Sequence, residues 1–186
     1  MSRIEYRHDR VERFVVGTVG LPGERSFFLQ IQSSDISNCV AIEKSQVAAL
    51  SERFQELIRE LKRSQLASLD ELGLPGSVDD RELEFPITED FQVGLIGISW
   101  DGQTQRVGIE IQAFVETETE GLDELEDLVD TEEPDAILAS LRIHQVRAFC
   151  KQADRVVASG RAPCPFCGLP VDAMGHLCPR SNGYRR

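Results

Sequence analysis

Between residues 164 and 178 the chain reads Cys164-Pro-Phe-Cys167-Gly-Leu-Pro-Val-Asp-Ala-Met-Gly-His176-Leu-Cys178, so three thiols and one imidazole fall within fifteen residues. No other stretch restricts folding as tightly. Cys-x2-Cys-x8-His-x-Cys is a metal-ligand spacing, and its four side chains must meet at one point. Four soft or borderline ligands of this kind close a tetrahedral zinc shell and leave no position for water. The motif therefore predicts structural zinc held by Cys164, Cys167, His176 and Cys178, in a knuckle that holds shape and does no chemistry. Gly168, directly after the second thiol, lets the backbone curl so that N–H groups point at sulfur. Asp172 is a near candidate to accept the second N–H of His176, and equally an ordinary turn residue.

Cys164-Pro-Phe-Cys167 alone also matches the redox dithiol of glutaredoxin-like proteins, whose first thiol is acidified at the start of a helix. Chain position argues against that reading. Such a dithiol follows an early strand and opens a helix, whereas here Gly168-Leu-Pro170 follows and only sixteen residues remain. Five cysteines with three of them beside a histidine favour metal over a disulfide framework in a reducing compartment. Cys39 is most simply a small core residue.

At 186 residues and 41% hydrophobic content, the chain can bury one core and is short for two ordinary domains. One α+β domain over residues 1–160 and a knuckle appendage over 161–186 are expected. Arg3 to Arg13 is charged throughout, and no apolar run approaches the roughly 18 residues of a membrane span. A cytoplasmic protein without a signal peptide is the expectation. The net charge of −12 is unevenly spread: residues 116–135 carry eleven acids and no base, while Lys151, Arg155, Arg161, Arg180, Arg185 and Arg186 outnumber Asp154 and Asp172 at the C-terminal end. Such asymmetry speaks to partners and solubility more than to fold.

Val11 to Val19 supplies the β-branched run of a first strand, and Gly20-Leu-Pro-Gly23 turns it toward an antiparallel strand over Ser26 to Gln32 with Phe27, Leu29 and Ile31 on its inner face. A short strand over Cys39 to Glu43 follows. Ser45 can cap a helix whose apolar positions Val47, Leu50, Phe54, Leu57, Ile58 and Leu61 form one stripe. One more helical turn fits Leu66, Leu69 and Leu72 before Gly73-Leu-Pro-Gly76, and Glu82 to Ile87 reads as a brief strand that Pro86 confines to an edge or an end. Phe91 to Trp100 and Arg106 to Val115 flank the hairpin signal Asp101-Gly102. The first arm, apolar on both faces near Leu95 to Ile98, belongs centrally, and Gly94 and Gly97 suggest a bulge or a close neighbour. Pro134 then opens a second long helix over residues 135–158, with Leu138, Leu141, Gln145, Phe149 and Val156 on one side.

Catalytic signatures are sparse. No phosphate-binding glycine loop, nucleophile elbow or His-Glu-x-x-His occurs. His144, with Arg147 and Lys151 nearby, has no carboxylate or nucleophile at fixed spacing to make it a general base, and His8 with Asp9 has less support still. Arg147, Lys151 and Arg155 make a basic row that is either a solvated helix face or a surface for an anion or acidic partner. The acidic tract, with Leu122, Leu125, Leu128 and Val129 at near-helical spacing, is either a solvated loop or an amphipathic segment that docks on a basic surface.

Gly20-Leu-Pro-Gly-Glu-Arg25-Ser-Phe-Phe-Leu-Gln30, Glu43-Lys44-Ser-Gln46-Val47, Arg147-Ala-Phe149, the run from Cys164 to Arg180 and Asn182-Gly-Tyr-Arg-Arg186 together resemble an uncharacterised actinobacterial protein family. The resemblance implies association with two other proteins of a recurrent trio, one similar to histidine-type phosphatases or phosphoglycerate mutases, the other to phosphatidylinositol kinases. It implies no activity.

These readings converge on an α+β fold: an antiparallel sheet of five or six strands covered on one face by two long helices, with the knuckle against the second helix. The favoured function is a non-catalytic, zinc-stabilised adaptor that meets a protein partner. The alternatives are an enzyme or sensor acting on a phosphorylated small molecule through Arg25, His144 and Arg147, and, more weakly, a nucleic-acid-binding module. The possible anion or partner surface comprises Arg25, His144, Arg147, Lys151 and Arg155.

Overall fold

The computed structural model describes residues 3–21, 23–34, 36–74, 79, 81–115, 133–159, 164–168, 171 and 175–180. Its elements, in chain order, are β1 (Glu5–His8), β2 (Arg13–Val19), β3 (Ser26–Ser33), β4 (Ile36–Ile42), α1 (Lys44–Arg63), α2 (Leu69–Gly73), β5 (Phe91–Asp101), β6 (Arg106–Ala113), β7 (Ala136–Leu141) and α3 (Ile143–Ala158). The strands form one seven-stranded sheet in the order β1-β7-β6-β5-β4-β3-β2.

The sheet is mixed where an antiparallel one was expected. β1 runs parallel to β7, and β4 runs parallel to β5 through Val40↔Phe91 and Ala41↔Gln92. Both parallel junctions join strands distant in sequence, which no hairpin signal can announce. β1 itself has too few apolar residues to stand out from its charged surroundings.

Hairpins account for the rest. The glycine-rich turn after β2 has Gly20 and Gly23 at φ of 104° and 106° and closes with the Glu24 N–H donating to Leu21 O at 2.9 Å. β2 and β3 then pair antiparallel from Arg13↔Gln32 to Val19↔Ser26. β5 and β6 pair from Asp101↔Arg106 back to Val93↔Ala113, with a register shift between Val93 and Leu95. That bulge sits at Gly94, where a Cβ would lie 2.8 Å from Phe114 Cα. β5 is the central strand of the seven, as its apolar run suggests.

Both long helices lie on one face of the sheet. Phe14 of β2, Phe54 of α1 and Phe149 of α3 meet there, with ring centroids 4.9 to 6.4 Å apart. Aromatic contacts at these separations add to the area that the rings bury. The inner face of the sheet contributes Val16, Leu29, Ile31, Val40, Val107, Ile109, Ile111, Ile137 and Leu141, all buried.

Two helix boundaries differ from the sequence reading. α1 is capped by Glu43, whose N–H donates to Gln46 Oε1 at 2.9 Å; Ser45 instead lies inside the first turn and donates to Glu43 Oε2. The second helix begins at Ile143, because residues 136–141 form β7 with Ile137, Ala139 and Leu141 turned inward. Leu138 and Leu141 fit a helical stripe only if the β-period of their neighbours is ignored. The buried stripe of α3 is Ile143, Val146, Phe149, Cys150 and Ala153.

Residues 82–87 form no strand. They cover the outer face of β2 and β3: Leu83 fills the space over Gly17, and the Gln30 side chain bonds both Glu84 O (3.0 Å) and Glu84 N–H (2.8 Å). One side-chain amide thus takes the place of a strand partner. Arg13, 3% exposed, completes this attachment by donating to Asp79 Oδ2, Arg81 O and Glu82 O. Among the described residues no helix is long and apolar enough to cross a membrane. Of residues 116–135, only 133–135 are described, so the expectations for the acidic tract lie outside the described residues.

Candidate metal centre

The four ligand candidates come from two short turns. In the first, Cys164 and Cys167 sit either side of Pro165 and Phe166, and the Gly168 N–H donates to Cys164 O at 2.8 Å. Gly168 takes φ of 76° and Gly175, just before His176, takes 85°. Both values lie in the left-handed region, where a Cβ is disfavoured, so each glycine permits a reversal beside a ligand. Arg180 braces the two turns by donating to Phe166 O at 3.2 Å.

One donor atom from each of Cys164, Cys167, His176 and Cys178 lies within 4.8 Å of every other. Cys164 and Cys178 approach to 3.8 Å between sulfurs, and Cys167 Sγ lies 3.1 Å from His176 Nε2. Cys164 and Cys178 are buried, whereas Cys167 and His176 are half-buried. Backbone N–H groups of Cys167 and Phe166 hold the Cys164 thiol below its ordinary range, which favours the thiolate that a metal requires. These four residues are positioned to bind a metal ion. The donor set of three sulfurs and one imidazole fits one soft or borderline cation.

The other two cysteines are of a different kind. Cys150 is buried on α3 with its thiol directed at Ser51 O, and burial pushes it up to about 11. Burial likewise raises Cys39. Both are neutral core residues at physiological pH.

The basic positions singled out from sequence are spread along α3. Arg25 reaches its C-terminal end and donates to Ser159 O and Oγ at 2.8 and 2.9 Å. His144 lies in the first turn and lines a cavity of about 210 Å³ with Glu12, Arg13 and Asp79. Fifteen helical residues separate these ends by roughly 22 Å, so Arg25 and His144 do not share a site. Arg147 and Lys151 do share one, a groove between α1 and α3. Arg155, in the last turn, is exposed.

Two features escaped the sequence reading. Arg59 of α1 lines that groove opposite Arg147 and Lys151, and only helix packing brings them together. The second is apolar exposure at the metal centre: Phe166 is 64% exposed and Leu177 is 89% exposed, each lying between two ligands. Leu21, Leu69 and Phe85 are exposed to a similar degree elsewhere, so what distinguishes Phe166 and Leu177 is their place between the converging ligands.

The family described as Protein of unknown function (DUF3090) matches residues 6–178, and the chain belongs to it. The match spans the sheet from the second residue of β1, all three helices and all four ligand candidates. No curated protein and no solved structure matches the chain.

Proposed function

We propose that this member of the family is a non-catalytic adaptor whose zinc-held knuckle presents Phe166 and Leu177 to a protein partner. The observation that carries the reading is the exposure of those two side chains on turns pinned by four converging ligands. An apolar pair on a rigid support loses little conformational freedom on binding, which is what a docking anchor needs.

Zinc is supported by the chemistry and spacing of the donors. Bonds of about 2.3 Å to sulfur in a tetrahedron put two sulfurs about 3.8 Å apart, and Cys164 and Cys178 lie at 3.8 Å. A zinc ion held there would supply a cross-link between the two turns, with no open coordination position. Cys164, Cys167 and Cys178 would bind as thiolates and His176 through Nε2.

The partners suggested by the family resemblance are a histidine-phosphatase-like protein and a phosphatidylinositol-kinase-like protein. A cytoplasmic location and a knuckle that forms its own small unit after residue 160 belong to the same proposal.

The test measures metal content and partner binding on the same preparations. Protein purified without chelator is expected to carry one zinc per chain, and Cys164→Ser to lose it. Phe166→Ala/Leu177→Ala should keep the zinc while binding to purified partner falls at least tenfold. Absence of bound metal, or partner binding indifferent to the double substitution, would overturn the proposal.

A further inference from the structure

The groove between α1 and α3 has a volume of about 400 Å³ and is lined by Gln55, Ile58, Arg59, Arg147, Cys150, Lys151 and Asp154. That size lies inside the range of small-molecule sites, roughly 300–1,000 Å³. Its floor is apolar. Ile58 is half-buried and Cys150 buried, and Cys150 stays a neutral thiol because burial holds its pKa near 11. No anion in the floor competes with a ligand's charge.

The rim is cationic in a chain whose net charge is −12. Arg59 and Arg147 are tied to carbonyl oxygens: Arg59 Nε donates to Gln55 O at 3.3 Å, and Arg147 Nη1 donates to Leu72 O at 2.7 Å and Leu74 O at 3.1 Å. Among the described residues no carboxylate pairs with either guanidinium. Carbonyls orient the two groups without neutralising them. The one acid of the groove, Asp154, has both oxygens engaged by α1, Oδ1 by the Ser51 hydroxyl at 2.8 Å and Oδ2 by Gln55 Nε2 at 3.3 Å. Three cations from two helices therefore border an apolar floor, with one carboxylate drawn toward Ser51.

We infer that this groove binds a small organic anion, its phosphate or carboxylate head between Arg59, Arg147 and Lys151 and its apolar body on Ile58 and Cys150. An anionic head meets two guanidinium groups already oriented by carbonyls, and charge-assisted hydrogen bonds to guanidinium are among the stronger ones available. The apolar floor gives the body a surface that inorganic phosphate does not use. None of the four candidate metal ligands lines the groove.

Isothermal titration of the full chain with hexyl phosphate tests the inference, with hexanoate, hexanol and inorganic phosphate as separate arms. Hexyl phosphate is expected to bind, hexanol not to, and affinity to rise about two- to fourfold per methylene along ethyl, butyl and hexyl phosphate. The hexanoate arm distinguishes a phosphate site from a carboxylate site. Arg59→Gln and Lys151→Gln should each weaken hexyl phosphate about tenfold, while Arg53→Gln, on α1 but outside the groove, should not. Arg147→Gln also releases Leu72 and Leu74, so Arg59 and Lys151 carry the decision if that variant misfolds. No binding of hexyl phosphate or hexanoate would overturn the inference. So would binding indifferent to the Arg59 and Lys151 substitutions or to chain length, or binding of an acidic peptide in place of both small anions.

Discussion

His8, 1% exposed, shows what a single buried polar residue decides. Asn38 Nδ2 donates to Asp90 Oδ2 at 2.9 Å, which turns Asn38 Oδ1 toward His8 Nε2 at 2.9 Å. Nε2 must therefore donate to Asn38 Oδ1, and Nδ1 lies 2.8 Å from the Ser33 hydroxyl oxygen. Asp90 thus fixes the histidine tautomer through an intervening amide. His8→Ala leaves Asn38 and Ser33 without this partner and should cost about 1–3 kcal/mol, measured by urea denaturation; a change within error would assign the network no role in stability. Asp79 carries the pH dependence at this scale. Hydrogen bonds from Arg81, and then from Arg13, hold its carboxyl well below the usual carboxylate range. A depressed folded pKa contributes stability that is fully present above the unfolded value, about 4, and is lost as pH falls toward the folded one. Asp79→Asn should therefore lower stability near neutrality and flatten its loss below about pH 4. Denaturation at stepped pH reads both effects, and an unchanged acid slope would contradict the assignment.

At the scale of elements, the two glycines of β5 have different roles. A Cβ on Gly94 would lie 2.8 Å from Phe114 Cα and 2.9 Å from Ala113 O, backbone atoms that cannot swing aside, whereas at Gly97 its nearest neighbour is Glu110 Cβ at 3.8 Å. Gly94→Ala is expected to destabilise by about 1–3 kcal/mol through overpacking, and Gly97→Ala to lie within about 0.5 kcal/mol of the parent. Equal midpoints in urea for the two variants would refute the distinction. Gly94 and Gly97 both suggested a bulge or a close neighbour and only Gly94 has one, so the bulge was legible in part. The strand–helix boundary at residue 142 was not, since Leu138 and Leu141 satisfy a helical period by coincidence while Ile137, Ala139 and Leu141 satisfy a strand's. The segment over residues 82–87 was misread for a related reason: its Glu82 and Glu84 backbone groups bond the side chains of Arg13 and Gln30, and sequence does not say where an extended stretch finds its partners.

At the scale of the molecule, β1 and β2 stand at opposite ends of the strand order yet are separated by only four residues, 9–12. His8 of β1 bonds Ser33 of β3 and Asn38 of β4, and Glu12 N–H donates to Gln32 O at 2.8 Å. The sheet therefore bends so that its two ends approach, on the face where Phe14, Phe54 and Phe149 meet. α3 then serves three functions along its length: Phe149 in the core, Arg147 and Lys151 on the groove, and Ser159 as an anchor for Arg25. The two tight hairpins, the apolar stripe of α1 and the convergence of Cys164, Cys167, His176 and Cys178 were written locally, because each depends on residues close in the chain, whereas the stripe of α3 agreed with the sequence reading only at Phe149. Turn chemistry, helical period and thiol spacing all act over that range, so sequence alone determined them. The parallel junctions, the polar network around His8 and the meeting of Arg59 with Arg147 and Lys151 depend on residues brought together from distant positions. Their stabilisation exists only once the sheet has bent and the helices have packed, and only the tertiary structure decided them.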